Sequence, residues 1–175
     1  IPLDNPFLDK NGNPSSVFCY GNRNPQGLAF DSNGRLWELE HGPKGGDELN
    51  IIEKGKNYGW PVITYGMNYN GTKITDITHK EGMEQPVWYW TPSIAVCGMK
   101  IYKGEEFGSW NGNILVTSLK FEYLERVVVN DRKIVEREII YEPGSRVRDV
   151  EIDPLGNIYV ALENPGRIVK LSSLR

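Results

Sequence analysis

The sequence predicts an all-β protein, and three observations carry that expectation. Its 175 residues include nineteen glycines and eleven prolines set among many short apolar runs, the composition of a turn-rich chain. Helical periodicity is hard to find, whereas short alternating runs bounded by turn residues recur along the whole length. One hairpin pattern is also found twice, once near each end.

The first copy is Gly27-Leu28-Ala29-Phe30-Asp31-Ser32-Asn33-Gly34-Arg35-Leu36-Trp37, and the last is Asp149-Val150-Glu151-Ile152-Asp153-Pro154-Leu155-Gly156-Asn157-Ile158-Tyr159. Each reads as an alternating strand, an Asp-x-x-Gly turn, and a second strand opening on an aliphatic and an aromatic residue. The Asp side chain can bond the turn backbone, and the Gly supplies the positive φ of a tight reversal. Alternation places Leu28 and Phe30, or Val150 and Ile152, on one buried face.

Residues 61–92 differ: Pro61 to Gln85 is polar, rich in Gly, Asn and Thr, and long for a connection. It reads as an excursion over one face that rejoins a sheet near Trp88. Beyond it, Met99–Tyr102 alternates, Gly112-Asn113 leads into Ile114-Leu115-Val116, and Leu124–Val129 and Ile134–Ile140 flank a polar turn at Asn130–Lys133. Four-stranded antiparallel units returning every few tens of residues predict a β-propeller of about three blades, residues 1–175 forming one partial propeller domain. A β-sandwich shares the hairpins but does not explain a hairpin motif that returns after two unit lengths. An open arc of three blades leaves two faces bare, so missing N-terminal blades or a second copy of the chain is expected to cover them.

A net charge of −3 with 25% charged residues gives no footprint for nucleic acid or an anionic membrane. No apolar run reaches the roughly 18–20 residues of a membrane span. The start Ile1-Pro2-Leu3-Asp4-Asn5 shows no signal-peptide pattern and no initiator Met, so a mature form or an excised piece is expected. Cys19 and Cys97 fit no zinc spacing; two separate thiols or one long-range disulfide remain open.

Four segments carry candidate chemistry. In Gly21-Asn22-Arg23-Asn24-Pro25-Gln26-Gly27, an Arg and an Asn sit just before a strand, suited to holding an anion or carbonyl, or simply to a solvated turn. Glu40-His41-Gly42-Pro43-Lys44-Gly45-Gly46-Asp47-Glu48 offers free carbonyls between carboxylates, a composition that suits a hard cation such as Ca²⁺ but lacks EF-hand spacing. Ser118-Leu119-Lys120 closes a strand. In Ser145-Arg146-Val147-Arg148-Asp149, the two arginines share one side of an extended segment, facing either an anion or water, with Asp149 pointing away. Arg23, Lys120, Arg146 and Arg148 could converge on a polyanion bearing carbonyl groups.

Arg23-Asn24-Pro25-Gln26-Gly27-Leu28, Glu40-His41-Gly42-Pro43 with Asp47-Glu48, Asn57-Tyr58-Gly59-Trp60-Pro61 and Arg146-Val147-Arg148-Asp149-Val150, in this order, resemble the soluble aldose sugar dehydrogenases of the glucose/sorbosone dehydrogenase family, specifically the C-terminal half. The resemblance implies a six-bladed propeller that binds pyrroloquinoline quinone (PQQ) beside Ca²⁺ and oxidises the anomeric carbon of aldoses, passing electrons to an acceptor. It implies Arg23 and Asn24 on the quinone, Gly42 and Pro43 carbonyls on Ca²⁺, His41 and Asp47 lining the site, and Lys120, Arg146 and Arg148 on the PQQ carboxylates and ortho-quinone. Trp90-Thr91-Pro92-Ser93 falls at another cofactor-side loop. A periplasmic or secreted location follows from the resemblance alone.

The resemblance also implies a departure. The family's catalytic histidine belongs to an early blade, and neither His41 nor His79 lies in a matching motif. No catalytic residue is therefore assigned, and the chain is expected to supply much of the cofactor cradle without the base. The alternative is a non-catalytic half-propeller that serves as a binding module.

Overall fold

The computed structural model describes residues 1–173. Eleven strands form three antiparallel sheets in chain order among these residues. The first sheet holds β1 (Pro25–Phe30), β2 (Leu36–Glu40), β3 (Asp47–Ile52) and β4 (Trp88–Trp90). The second holds β5 (Val96–Ile101), β6 (Ile114–Ser118), β7 (Leu124–Asn130) and β8 (Lys133–Tyr141). The third holds β9 (Arg146–Ile152), β10 (Ile158–Glu163) and β11 (Arg167–Leu171), so its outer edge is β11. These sheets are three successive blades of a β-propeller. No helix among the described residues is long and apolar enough to cross a membrane.

Two apolar clusters hold the blades face to face. Trp37, Leu39, Leu49 and Ile51 of the first blade meet Val96, Met99, Ile114, Val116 and Val127 of the second. On the second blade's opposite face, Tyr102, Leu115 and Leu124 meet Val147, Val150, Ile158, Val160 and Leu162 of the third. Strand β6 is therefore buried at all five positions, with Ile114 and Val116 facing one neighbour and Leu115 the other. A strand covered on both faces reads as a continuous apolar run rather than an alternation.

The alternation in β1 was expected to bury Leu28 and Phe30, but these are 62% and 69% exposed. The opposite parity faces the second blade. A Cβ at Gly27 would stand 2.9 Å from Met99 Cβ, and Ala29 packs on the first cluster. The blades approach so closely at their inner strands that small residues turn inward and the larger ones line the open face of the arc. The same expectation holds for Val150, which is fully buried, with Ile152 packed beside it.

Both predicted Asp-x-x-Gly turns form. Asp31 Oδ1 accepts the amides of Asn33 and Arg35, and Gly34 has φ +78°. Asp153 Oδ1 accepts those of Leu155 and Asn157, and Gly156 has φ +92°. The second carboxylate oxygen reaches the aromatic six residues on, Trp37 Nε1 at 3.0 Å in one copy and Tyr159 Oη at 3.3 Å in the other. The same turn occurs a third time at Asp9–Asn13, where Asp9 Oδ1 accepts the amides of Asn11 and Asn13 around Gly12. Asp31 also pairs with Arg35, and the neighbouring bonds hold its carboxyl down at about 2 despite partial burial. Asp31→Ala is expected to lower the unfolding free energy by about 2 kcal/mol. Denaturation in urea checks this, and Asp9→Ala, in an exposed turn, should cost clearly less.

Residues 53–87 connect β3 to β4, so the connection starts earlier than the excursion expected at 61–92 and ends where β4 rejoins the first sheet at Trp88. They lie against the first blade's open side: Tyr58 Oη donates to the Ile51 carbonyl at 2.7 Å, and Met67 N donates to the Pro43 carbonyl at 3.0 Å. This cover explains an interior that is not apolar. Glu38, Glu40 and Asn50 are buried on the face of β2 and β3 opposite Trp37 and Leu39. Cys19 and Cys97 are separate free thiols.

Candidate functional site

Strand direction places the sequence-predicted residues on one end of the blades. The lead into β1 and the β2–β3, β4–β5, β6–β7, β8–β9 and β10–β11 connections all fall at the same end of an up-and-down propeller. Arg23 and Asn24 lie in the first of these and His41, Gly42 and Pro43 in the second, with Lys120 in the fourth and Arg146 at the start of β9.

Contacts join these connections into one surface. The His41 amide donates to the Asn24 carbonyl at 3.1 Å, and Arg23 Nη1 returns a bond to the His41 carbonyl at 3.0 Å. Gly46 N reaches the Trp90 carbonyl at 2.8 Å, tying the β2–β3 turn to the β4–β5 turn. Leu119 N and Lys120 N bond to the carbonyls of Ala95 and Ile94, and Ser118 Oγ adds a 2.7 Å bond to Ile94. At the inner strands, a Cβ on Gly98 would stand 2.7 Å from Asp149 Cα, so β5 and β9 touch.

Each inner strand carries a β-bulge at this end. The register shifts between Pro25 and Gly27 in β1, between Val96 and Met99 in β5, and opposite Ala161 and Leu162 in β9. Gln26 and Arg148 are the extra residues in the outer two cases, and the β5 shift falls at Cys97-Gly98. Bulges re-aim side chains and are enriched beside functional sites. Gln26 Nε2 holds Asn24 Oδ1 at 3.0 Å. Four of the five non-glycine residues with positive φ among those described, Lys44, Ala95, Glu122 and Asn164, also sit in turns at this end. Such conformations cost about 1–3 kcal/mol each and persist where the surroundings enforce them.

The predicted residues fall into three groups. Arg23, with its guanidinium 5.2 Å from the Trp60 ring centroid, and Asn24 form one wall. Lys120, Arg146 and Arg148 are the accessible cations, Lys120 Nζ standing 5.0 Å from the Phe121 ring centroid. Both arginines turn to Glu163 at the end of β10: Arg146 Nη1 lies 3.8 Å from Oε1, and Arg148 forms an ion pair with Oε2. That pairing lifts the Arg148 guanidinium above its ordinary range. Their side chains remain 53% and 46% exposed, so the pair stays open to an anion.

Asp47 forms the third group and differs from the expected lining residue. Its carboxylate is fully buried and committed inward: Oδ1 accepts Gly42 N at 2.9 Å, and Oδ2 accepts Ser93 Oγ at 2.9 Å and Val96 N at 3.4 Å. It holds the Gly42-Pro43 turn and the β4–β5 turn together from beneath. His41 is half-buried, and burial followed by the charge of Arg23 pushes its imidazole below the ordinary range, against Asp47, which raises it.

Gly42 has no room for a side chain, since a Cβ there would stand 2.1 Å from the carbonyl oxygens of Gly45 and Gly46. The Pro43 carbonyl already accepts Met67 N, which leaves one lone pair for a cation. No group of three or more His, Cys, Asp or Glu side chains among the described residues is arranged to hold a metal, so a Ca²⁺ here would depend on backbone carbonyls.

Sequence reasoning missed Glu163, Glu38 and Asn50, and it quoted Gln26, Ser93 and the half-buried Glu48 only within wider segments, without these roles. Asn50 Nδ2 donates to Glu38 at 3.1 Å, Glu48 at 3.3 Å and Glu40 at 3.4 Å. Burial pushes Glu38 up to about 9, with Glu40 adding to the shift, and Glu48 up to about 8 by the same causes.

The model of the glucose/sorbosone dehydrogenase family matches residues 1–170. The chain belongs to that family. It is 44% identical over 177 residues to the aldose sugar dehydrogenase YliI of Escherichia coli, covering 98% of this chain and 48% of that protein. The crystal structure of the soluble E. coli aldose sugar dehydrogenase in its apo form superposes with a TM-score of 0.91 at 41% identity, over all of this chain and 52% of that one. The PQQ-bound aldose sugar dehydrogenase of Streptomyces coelicolor gives a TM-score of 0.72 at 27% identity, over 98% of this chain and 48% of that one. This member of the glucose/sorbosone dehydrogenase family thus spans about half the length of the relatives it matches.

Proposed function

We propose that this chain is the cofactor-cradle half of a PQQ- and Ca²⁺-dependent dehydrogenase that oxidises the anomeric carbon of aldoses. The observation that carries the proposal is the delivery of Arg23, Lys120, Arg146 and Arg148 to one end of three blades. PQQ is a planar tricarboxylate with an ortho-quinone, and its recognition calls for several cations in fixed directions.

Lys120, Arg146 and Arg148 would pair with its carboxylates. Arg23 and Asn24, fixed through His41, Trp60 and Gln26, would hold the quinone edge. The carbonyls of Gly42 and Pro43 would face Ca²⁺, which Asp47 supports from behind. Bound PQQ supplies a two-electron acceptor for hydride from the sugar. Neither histidine in the sequence is assigned as the base, which on this reading comes from residues outside these three blades. An aldose and an electron acceptor are the expected partners of the complete propeller.

The test is titration of the chain with PQQ, with and without Ca²⁺, followed by a dye-linked assay on aldoses. Calcium-dependent binding without turnover is expected. Arg148→Ala should weaken binding about tenfold or more, the cost of losing a charge-assisted hydrogen bond. Absence of binding at any calcium concentration would sink the proposal and favour a non-catalytic half-propeller.

A further inference from the structure

The lead into β1 is held in a way that its own residues do not explain. Pro25 has no N–H to give, and β1 begins there, so Arg23 and Asn24 lie outside the strand, although the Asn24 carbonyl still accepts the His41 amide. The amides of Arg23 and Asn24 would then be left without strand partners. Both donate instead to a single side-chain atom, Oε2 of Glu40, at 3.0 Å from Asn24 N and with a short bond from Arg23 N. Glu40 is buried at the end of β2, and its other oxygen lies 3.4 Å from Asn50 Nδ2. The next residue closes the loop, because the His41 carbonyl accepts Arg23 Nη1 and the His41 amide donates to the Asn24 carbonyl.

We infer that Glu40 is a positioning residue for the cofactor wall. Its carboxylate fixes the Arg23-Asn24 backbone from below and thereby sets the directions of the Arg23 guanidinium and the Asn24 amide. Glu40 itself is buried at the end of β2, beneath the wall it holds. The inference rests on the proposed PQQ reading for its functional consequence, but the clamp is a property of the chain alone.

Two carboxylate hydrogen bonds on adjacent amides form an anion nest turned inside out, with a buried side chain as the anion. The amide of Glu40→Gln can offer its oxygen to the same two donors, but as a neutral acceptor. Its nitrogen then confronts the donating Asn50 Nδ2.

The test has three readouts on the 175-residue chain. In the wild type, the amide protons of Arg23 and Asn24 should resonate downfield and exchange slowly. Glu40→Gln should move both upfield, speed their exchange and shift the emission of Trp60, which lies against Arg23. PQQ affinity should fall about tenfold, the difference between charged and neutral acceptors. Unperturbed Arg23 and Asn24 amides in Glu40→Gln would overturn the inference, as would a lowered melting temperature with unchanged PQQ affinity. Fast-exchanging amides in the wild type would overturn it without any variant. If the wild-type chain binds no PQQ, the functional reading fails, while the amide readouts still decide whether Glu40 is the clamp.

Discussion

Replacing Asp47 with alanine is expected to cost about 3–5 kcal/mol of stability and to abolish calcium-dependent PQQ binding. Asp47 is fully buried, and its two oxygens serve three donors, Gly42 N, Ser93 Oγ and Val96 N. Truncation leaves these donors in a space closed to water, and each orphaned group costs about 1–3 kcal/mol. The losses are not additive, because Ser93 also bonds its own neighbour, the amide of Ala95, and can reorient. The local consequence exceeds the energetic one. The Gly42 turn is packed with carbonyls 2.1 Å from where a Cβ would be, so a small rotation of that backbone redirects every carbonyl in it. Asp47→Asn keeps one acceptor and puts a donor against Ser93 and Val96; it should cost about half as much. Urea denaturation followed by Trp fluorescence separates the two variants. Equal stability of the alanine variant and the wild type would show that the turn is held by its backbone alone.

The fold was legible because its signals are local. The Asp-x-x-Gly turns at Asp31 and Asp153 depend on one side chain and one positive φ, both written within five residues. The third copy at Asp9 carries the same Asp, Asn and Gly but lacks the flanking strands that drew attention to the others. Burial was less legible, because it depends on which face of a strand meets the next blade. Leu28 and Phe30 are the larger residues of β1, yet Gly27 and Ala29 turn inward because the second blade comes within contact of their backbone.

The candidate cations were legible as charges at strand mouths, and topology gathers them on one end. Their partners were not. Glu163 meets Arg146 and Arg148 only because β9 contains a bulge at Arg148, and a bulge shifts register without leaving a reliable mark in sequence. Asp47 could be read as part of a polar cluster, but not as its buried support, since that distinction depends on Ser93 and Val96 from a distant turn.

The buried glutamates give the second large expectation: stability should fall as pH rises from about 5 to about 9. Glu38 titrates in the folded chain at about 9 and Glu48 at about 8, against an ordinary 4.5, because burial and the facing Glu40 disfavour their charged forms. Below pH 4.5 both groups are protonated whether the chain is folded or not. Between 4.5 and their folded values the native state holds protons that the unfolded state has released, so stability declines through that window. Each such proton contributes up to about 1.4 kcal/mol per pH unit. Coupling among Glu38, Glu40 and Glu48 spreads the loss over the three rather than assigning it to one. Two groups oppose the trend at the acid side. Asp31, held at about 2, loses its contribution as pH falls from 3.8 through that value, and His41, kept neutral by burial, must charge below its ordinary range. The optimum is therefore expected on the acid side of neutrality, near pH 5–6. Glu38→Gln keeps the shape and the bond to Asn50 Nδ2 while removing the proton, so it should flatten the decline and stabilise the chain at pH 9 by about 2 kcal/mol or more. Urea midpoints of both proteins at half-unit intervals from pH 4 to pH 10 test this. A variant that unfolds more easily at pH 9 would mean that Glu38 is ionised in the fold and that its charge, not its proton, is what the surrounding structure holds.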